Sequence, residues 1–351
     1  MKLKNHIFIF AVFLLTFTAC KEGIDPITAV APGADSKAPV IKMTYPSEGA
    51  AIQVKEDVTS INISGEITDD IELRSVVLKL NGTQISSFSS FKDYRRFLLE
   101  FPYKNITNGN HTLDVIATDV SGKSTTQTIK FSKKEPYKPL YNGEIFYMPF
   151  DGTYTELLSI TDATKVGSPS FADGKKGKAY AGAVDSYITF PTTGMLNSEF
   201  SAIFWYNMNS TPDRSGILVI GSSVPEDRTK GFRLFREGSA ATQNIKINVG
   251  TGSGESWIDM FQLPSNAGWK QIAISISSMD CKIFLDGALV KTVSPCNIGW
   301  DASCDKITIG AGGKTFSYWG HKSDLSLYDE LRIFKKALTA SEVQTIYNAE
   351  K

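Results

Sequence analysis

All five tryptophans of this chain fall after residue 200. Trp205 lies inside the apolar run Phe200-Ser-Ala-Ile-Phe-Trp-Tyr206, and Trp269 opens the run Trp269-Lys-Gln-Ile-Ala-Ile-Ser-Ile276, so core packing accounts for both. Trp257, Trp300 and Trp319 are placed differently. Trp257 follows a Gly-Ser-Gly turn, Trp300 lies in the loop between Cys296 and Cys304, and Trp319 follows Tyr318 in a glycine-rich stretch. Aromatic residues in or beside loops turn flat apolar faces to solvent. Such a face suits the C–H side of a pyranose, while nearby amides and carboxylates read its hydroxyls. Trp257, Trp300, Tyr318 and Trp319 are therefore the candidate binding residues.

Hydrolysis would ask for other groups. Glycosidic cleavage needs two carboxylates flanking one bond. Glu255 and Asp259 stand four apart with no acid between them, and Glu226-Asp227 sits in a turn-like stretch beside Pro225. Asp329 and Glu330 are adjacent, so on a strand they point to opposite faces. The three histidines, His6, His111 and His321, are far apart, and no Gly-x-Ser-x-Gly accompanies them. No catalytic residue is assigned, and the chain reads as a binder rather than an enzyme. Cysteine is sparse: besides Cys20 there are Cys281, Cys296 and Cys304. Cys296 and Cys304 bracket a short loop and are the pair to expect as a disulfide in an oxidising compartment. Cys281 starts a strand-like run and reads as a small buried residue. Neither the spacing nor the histidines suit zinc.

The elements that must carry these residues are strands. Short runs of Val, Ile, Thr, Phe and Tyr alternate with Gly, Asn, Asp and Pro, an all-β pattern. Lys plus Arg equals Asp plus Glu at 37 each, which gives no net charge to draw nucleic acid. Residues 39–132 hold short strands at regular spacing, with the hairpin signal Asn81-Gly82. The motifs Tyr45-Pro46, Ile67-Thr-Asp-Asp70, Leu78-Lys-Leu-Asn-Gly82 and Ala117-Thr-Asp-Val-Ser-Gly122 make this segment resemble a bacterial Ig-like domain. Its carboxylates Asp69, Asp70 and Asp119 read as turn residues bonding their own backbone rather than as calcium ligands. Residues 133–142 carry two prolines and read as a stiff linker.

The first twenty residues carry Lys2 and Lys4, then an apolar run from Ile7 to Phe17, then Ala19-Cys20. The run is too short for a membrane span, which needs roughly 20 residues. The pattern resembles a bacterial lipoprotein signal over residues 1–19, cut before a lipidated Cys20, although Phe17 stands where such signals usually carry Leu. Residues 20–38 then read as a flexible tether. The resemblance implies export and a lipid anchor in the outer membrane, with the protein exposed at the cell surface.

Residues 143–351 form a larger β unit. Phe150-Asp-Gly152, Gly174-Lys-Lys-Gly-Lys-Ala-Tyr180, Val184-Asp-Ser-Tyr-Ile-Thr-Phe190, Gly268-Trp-Lys-Gln-Ile-Ala273 and Ile283-Phe-Leu-Asp-Gly287 stand in order along it. Above all, the run Tyr328 to Tyr347 makes it resemble the laminin-G-like branch of the concanavalin A-like lectin/glucanase superfamily. The resemblance implies a two-sheet jelly roll closed by a short C-terminal helix, whose capping box is Thr339-Ala-Ser-Glu342. Glucanases of this superfamily carry Glu-x-Asp-x-Glu on one strand, and no such run occurs in this chain. The resemblance also implies a structural calcium, with Asp151 and Asp329 in the matching motifs. Taken together, an accessory surface lipoprotein is expected, one that binds polysaccharide or oligosaccharide beside other surface proteins of a glycan-uptake system. An adhesin or scaffold for a protein partner is the alternative, and an unrecognised glycoside hydrolase or lyase is the second.

Overall fold

The computed structural model describes residues 34–351. Cys20, the segment before it and most of the stretch read as a tether lie outside the described residues. Among those described, no helix is long and apolar enough to cross a membrane.

The N-terminal domain consists of two sheets. Val40–Tyr45, Val58–Thr68 and Arg96–Thr107 form a three-stranded sheet. Ala51–Ile52, Ser124–Lys133, Gly109–Asp119, Leu73–Leu80 and Thr83–Phe88 form a five-stranded one in that spatial order. Alternate residues are buried along the strands, for example Val76, Leu78 and Leu80 in one and Leu113, Val115 and Ala117 in its neighbour. Asn81 and Gly82 both have positive φ, as a tight hairpin turn requires. Asp69 accepts the amides of Ile71 and Glu72, and Asp119 accepts Lys123 N–H and the Ser121 hydroxyl. Both carboxylates thus pin turns.

The C-terminal domain is a sandwich of a seven-stranded and an eight-stranded sheet. The seven-stranded sheet runs Thr164–Val166, Tyr187–Pro191, Lys306–Ile309, Arg214–Gly221, Gly231–Gly238, Thr242–Gly250 and Glu255–Pro264. The eight-stranded sheet centres on Leu327–Phe334 and Phe200–Asn207, and Glu144–Met148 joins it by pairing with Leu327–Phe334. Period-two alternation sorts each strand into two faces. Phe232 and Leu234, Ile245 and Ile247, and Ile258 and Met260 meet Phe200, Phe204, Ile272 and Ile274 in one apolar core. The residues between them face outward.

On the eight-stranded sheet the outward residues Ile203, Ala273, Phe284 and Phe334 are covered by the helix Ala340–Glu350 through Val343 and Ile346. Its capping box is present, with Thr339 accepting Glu342 N–H and the Glu342 carboxylate accepting Thr339 N–H. Among the described residues, no long helix lies over the outward face of the seven-stranded sheet. A short segment does: one helical turn, Gly313–Phe316, running into a 3-10 turn, Ser317–Trp319. Neither turn was expected from the sequence, because four residues carry no readable period.

No disulfide joins the three cysteines of this domain in this structure. The disulfide expected between Cys296 and Cys304 is absent. Cys296 instead docks beside the start of the strand that Cys281 opens, its N–H donating to Met279 O at 2.9 Å. Cys304 is held elsewhere, its carbonyl accepting the Thr192 hydroxyl at 2.6 Å.

Candidate binding site on the open sheet face

Strand register brings outward residues into rows. Val219 pairs with Arg233, Arg233 with Asn248, and Asn248 with Trp257. In the next row Phe235 pairs with Lys246, and Lys246 with Asp259. The segment 311–321 lies against these rows. Gly312 makes the close approach: its N–H donates to His321 O at 2.9 Å, and a Cβ there would stand 2.1 Å from that oxygen. Gly320, at φ 84°, ends the 3-10 turn in the left-handed region. Phe316 is fully buried and anchors the segment, its ring 4.8 Å from Phe235 and 5.0 Å from His321.

That anchoring brings Trp319 onto Trp257. The two indoles are near-parallel, 16° apart with centroids at 5.7 Å, and Trp257 also stacks on Phe316 at 5.8 Å. Backed in this way, Trp257 still leaves 47% and Trp319 41% of its surface open to solvent. Tyr318 meets Trp319 edge-on at 5.4 Å and accepts a hydrogen bond from Arg228 Nη1 at 2.5 Å. The Arg228 guanidinium lies over the Trp319 ring, 4.7 Å from its centroid, and pairs with Glu255 at 2.9 Å. Buried Arg233 donates to the carbonyls of Asp227, Arg228 and Lys230 and so fixes the loop that carries Arg228.

Beside the indoles is a cavity of about 220 Å³ lined by Phe235, Glu237, Lys246, Trp257, Trp319 and His321. Lys246 bridges Glu237 at 2.8 Å and Asp259 at 3.3 Å. His321 is buried in the floor; its Nε2 is 3.4 Å from Glu237, and its Nδ1 has no hydrogen-bond partner. Burial lowers its pKa to about 4, against the pull of Glu237, so the imidazole is neutral at pH 7. Burial pushes the carboxyls of Glu237 and Glu255 up, but Lys246 and Arg228 outweigh it and hold both below their ordinary value. On the far side of the helical turn lies a larger cavity of about 380 Å³, lined by hydroxyls such as Thr164, Thr189, Thr308 and Ser317 and by one aromatic residue, Tyr187.

Three of the four aromatic residues proposed from sequence, Trp257, Tyr318 and Trp319, therefore converge. Trp300 does not join them. Its ring packs edge-on against Phe200 at 5.8 Å and Phe232 at 6.4 Å, and its N–H donates to Asn197 O at 2.7 Å. It closes the edge of the core. Phe235, Phe316, Arg228 and Lys246 were not singled out in the sequence, where they look like any strand or loop residues. In the sequence His321 reads only as a lone candidate catalytic group.

Asp151 and Asp329 both hold the loop 174–178. Asp151 accepts Lys178 N–H at 2.8 Å, while Asp329 accepts Lys176 N–H at 2.8 Å and its neighbour Glu330 N–H at 2.9 Å. Burial raises the Asp329 pKa to about 7, helped by the adjacent Glu330 charge. A calcium ion needs six to eight oxygens turned toward it. Here the carboxylates face amide donors, and among the described residues no three His, Cys, Asp or Glu side chains gather to hold a metal. The residues present do not fit the implied calcium.

Residues 39–115 match the family model for the bacterial Ig domain, and residues 181–344 match that of the concanavalin A-like lectin/glucanases superfamily. Among solved structures, the chain is similar to domain 4 of AbnA, a GH43 extracellular arabinanase from Geobacillus stearothermophilus, in complex with arabinotriose. The identity is 19%, with 58% of this chain and 98% of that one covered and a TM-score of 0.46. It is also similar to the binding domain of botulinum neurotoxin DC in complex with rat synaptotagmin II, at 14% identity and a TM-score of 0.43. That match covers 60% of this chain and 52% of the toxin chain, so the chain spans about half the length of that relative. No curated protein matches the chain. The chain thus carries a bacterial Ig domain and, after it, a domain of the concanavalin A-like lectin/glucanase superfamily.

Proposed function

We propose that this protein binds a glycan without cleaving it, at the cleft formed by Trp257 and Trp319. The observation that carries this reading is the pair of near-parallel, solvent-open indoles held in place by the buried Phe316. A protein core would bury such rings; here the fold spends a dedicated segment on keeping them at the surface. A pyranose stacked on them would place its hydroxyls near Lys246, Glu237 and Asp259. The unpartnered Nδ1 of the neutral His321 would meet a hydroxyl at the cleft floor. A general acid for glycoside cleavage needs a raised pKa. Glu237 and Glu255 are shifted the other way by their cationic partners. The acids that are shifted up, Asp329 and Glu330, are buried on strand Leu327–Phe334 of the other sheet. A lipid on Cys20 would fix the binder at the outer membrane and raise the local concentration of sites for a polymer.

Affinity electrophoresis of the full chain against plant, host and microbial polysaccharides tests the reading. Retardation by a glycan, lost in Trp257→Ala and Trp319→Ala, is the expected outcome. Absence of retardation by every glycan contradicts it, and reducing ends accumulating with time would convert the binder into an enzyme.

A further inference from the structure

The three buried cysteines do not share one environment. The strand Cys281–Leu285 pairs with Ala288–Val293, so that Cys281 lies opposite Val293. Beyond Val293 the chain turns through Ser294-Pro295 and comes back. Cys296 N–H donates to Met279 O at 2.9 Å, which docks Cys296 beside the start of the strand that Cys281 opens. Both side chains sit in the apolar core, Cys281 fully buried and Cys296 nearly so, and each shifts the other's pKa, Cys281 upward and Cys296 downward. Cys304, by contrast, is tied by its backbone to Thr192 and Asp301.

We infer that Cys281 and Cys296 are the disulfide of the exported protein and that Cys304 stays a thiol. The exchange starts in the still-open chain, where the Cys296 thiolate meets solvent. Its Sγ displaces one sulfur of an oxidant disulfide, such as oxidised glutathione or a dithiol oxidase, and forms a mixed disulfide. Cys281 then gives up its proton, attacks Cys296 Sγ and expels the second sulfur. Two protein thiols lose two electrons and two protons, and the oxidant disulfide becomes two thiols. Because both sulfurs are shut inside the folded core, the bond forms before the core closes. The cross-link ties the edge hairpin of the eight-stranded sheet to the segment that follows it.

A protease that cuts before aspartate separates the three sulfurs, into residues 280–285, 286–300 and 301–304. Full-length chain is exported by a bacterial host and, in parallel, refolded in a mixture of reduced and oxidised glutathione. It is alkylated in denaturant without reductant, digested and read by mass spectrometry. Peptide 280–285 joined to 286–300, with 301–304 alkylated, is the expected result, unchanged in Cys304→Ser. A link between 286–300 and 301–304, or three alkylated peptides in the refolded sample, overturns the inference. Reductant should lower Tm by about 6 °C or more in the wild type. It should leave Cys281→Ser unmoved, and an equal fall in both would again overturn it.

Discussion

The two outer faces of the C-terminal sandwich use tryptophan in opposite ways. On the eight-stranded sheet Trp205 is only 2% exposed. It stacks on Tyr347 of the C-terminal helix at 5.8 Å, and its N–H donates to Glu350 at 3.1 Å. Beside it, Arg332 is buried among Glu144, Glu330 and Glu350 at 2.5, 3.1 and 2.9 Å, with its guanidinium over the Tyr147 ring. On the seven-stranded sheet the covering element is a single helical turn. There Trp257 and Trp319 stay open, and the charged pairs Lys246–Glu237 and Arg228–Glu255 are partly exposed. The same strand pattern therefore yields structure under a helix and a candidate site where the helix is missing.

The contrast is broken most sharply at the covered face. Arg332→Met leaves three buried carboxylates without their cation, and should cost about 3–5 kcal/mol in urea unfolding. Trp205→Ala should cost about 3–5 kcal/mol through the cavity it opens, while glycan affinity in the folded fraction stays within about twofold. Trp257→Ala and Trp319→Ala should do the reverse. Each should lower affinity by about 2 kcal/mol, roughly 30-fold, and change stability by less than that.

Titration gives a finer contrast. His321 has a folded pKa of about 4, below its unfolded value near 6.5. The unfolded chain therefore takes up the proton first, and the stability this group confers is lost as pH falls from about 6.5 to about 4. Asp329, raised to about 7, has the opposite sign: its contribution is full below about 4 and lost as pH rises to about 7. His321→Asn should flatten the acid limb of the stability curve, and Asp329→Asn the limb toward neutral. Measured stability against pH that shows neither change would contradict both assignments. The smallest effect concerns calcium: a chelator should shift Tm by less than about 1 °C, because Asp151 and Asp329 bind loop amides.

Local chemistry was legible in the sequence and juxtaposition was not. Asn81-Gly82 announces its turn through the positive φ that those residues tolerate, and the capping box at Thr339 announces its helix. Trp300 and Trp319 look alike in sequence, each a tryptophan in a loop. They differ because one loop folds its ring onto Phe200 and Phe232, whereas Phe316 anchors the other over Phe235. Cys296 has Cys304 as its near neighbour in the chain, yet hairpin return brings it to Cys281. Asp151 and Asp329 both hold loop 174–178 by accepting backbone amides, which no side-chain pattern records.

Glycan binding by Trp319→Ala beside Trp300→Ala is the most direct test of the central claim. With the retained polysaccharide titrated calorimetrically into both, Trp319→Ala should lose roughly 30-fold in affinity at nearly wild-type stability. Trp300→Ala should keep its affinity and lose stability, because its ring closes the core edge. Wild-type affinity in Trp319→Ala, or binding lost only with Trp300→Ala, would contradict the assignment of the open face as the site.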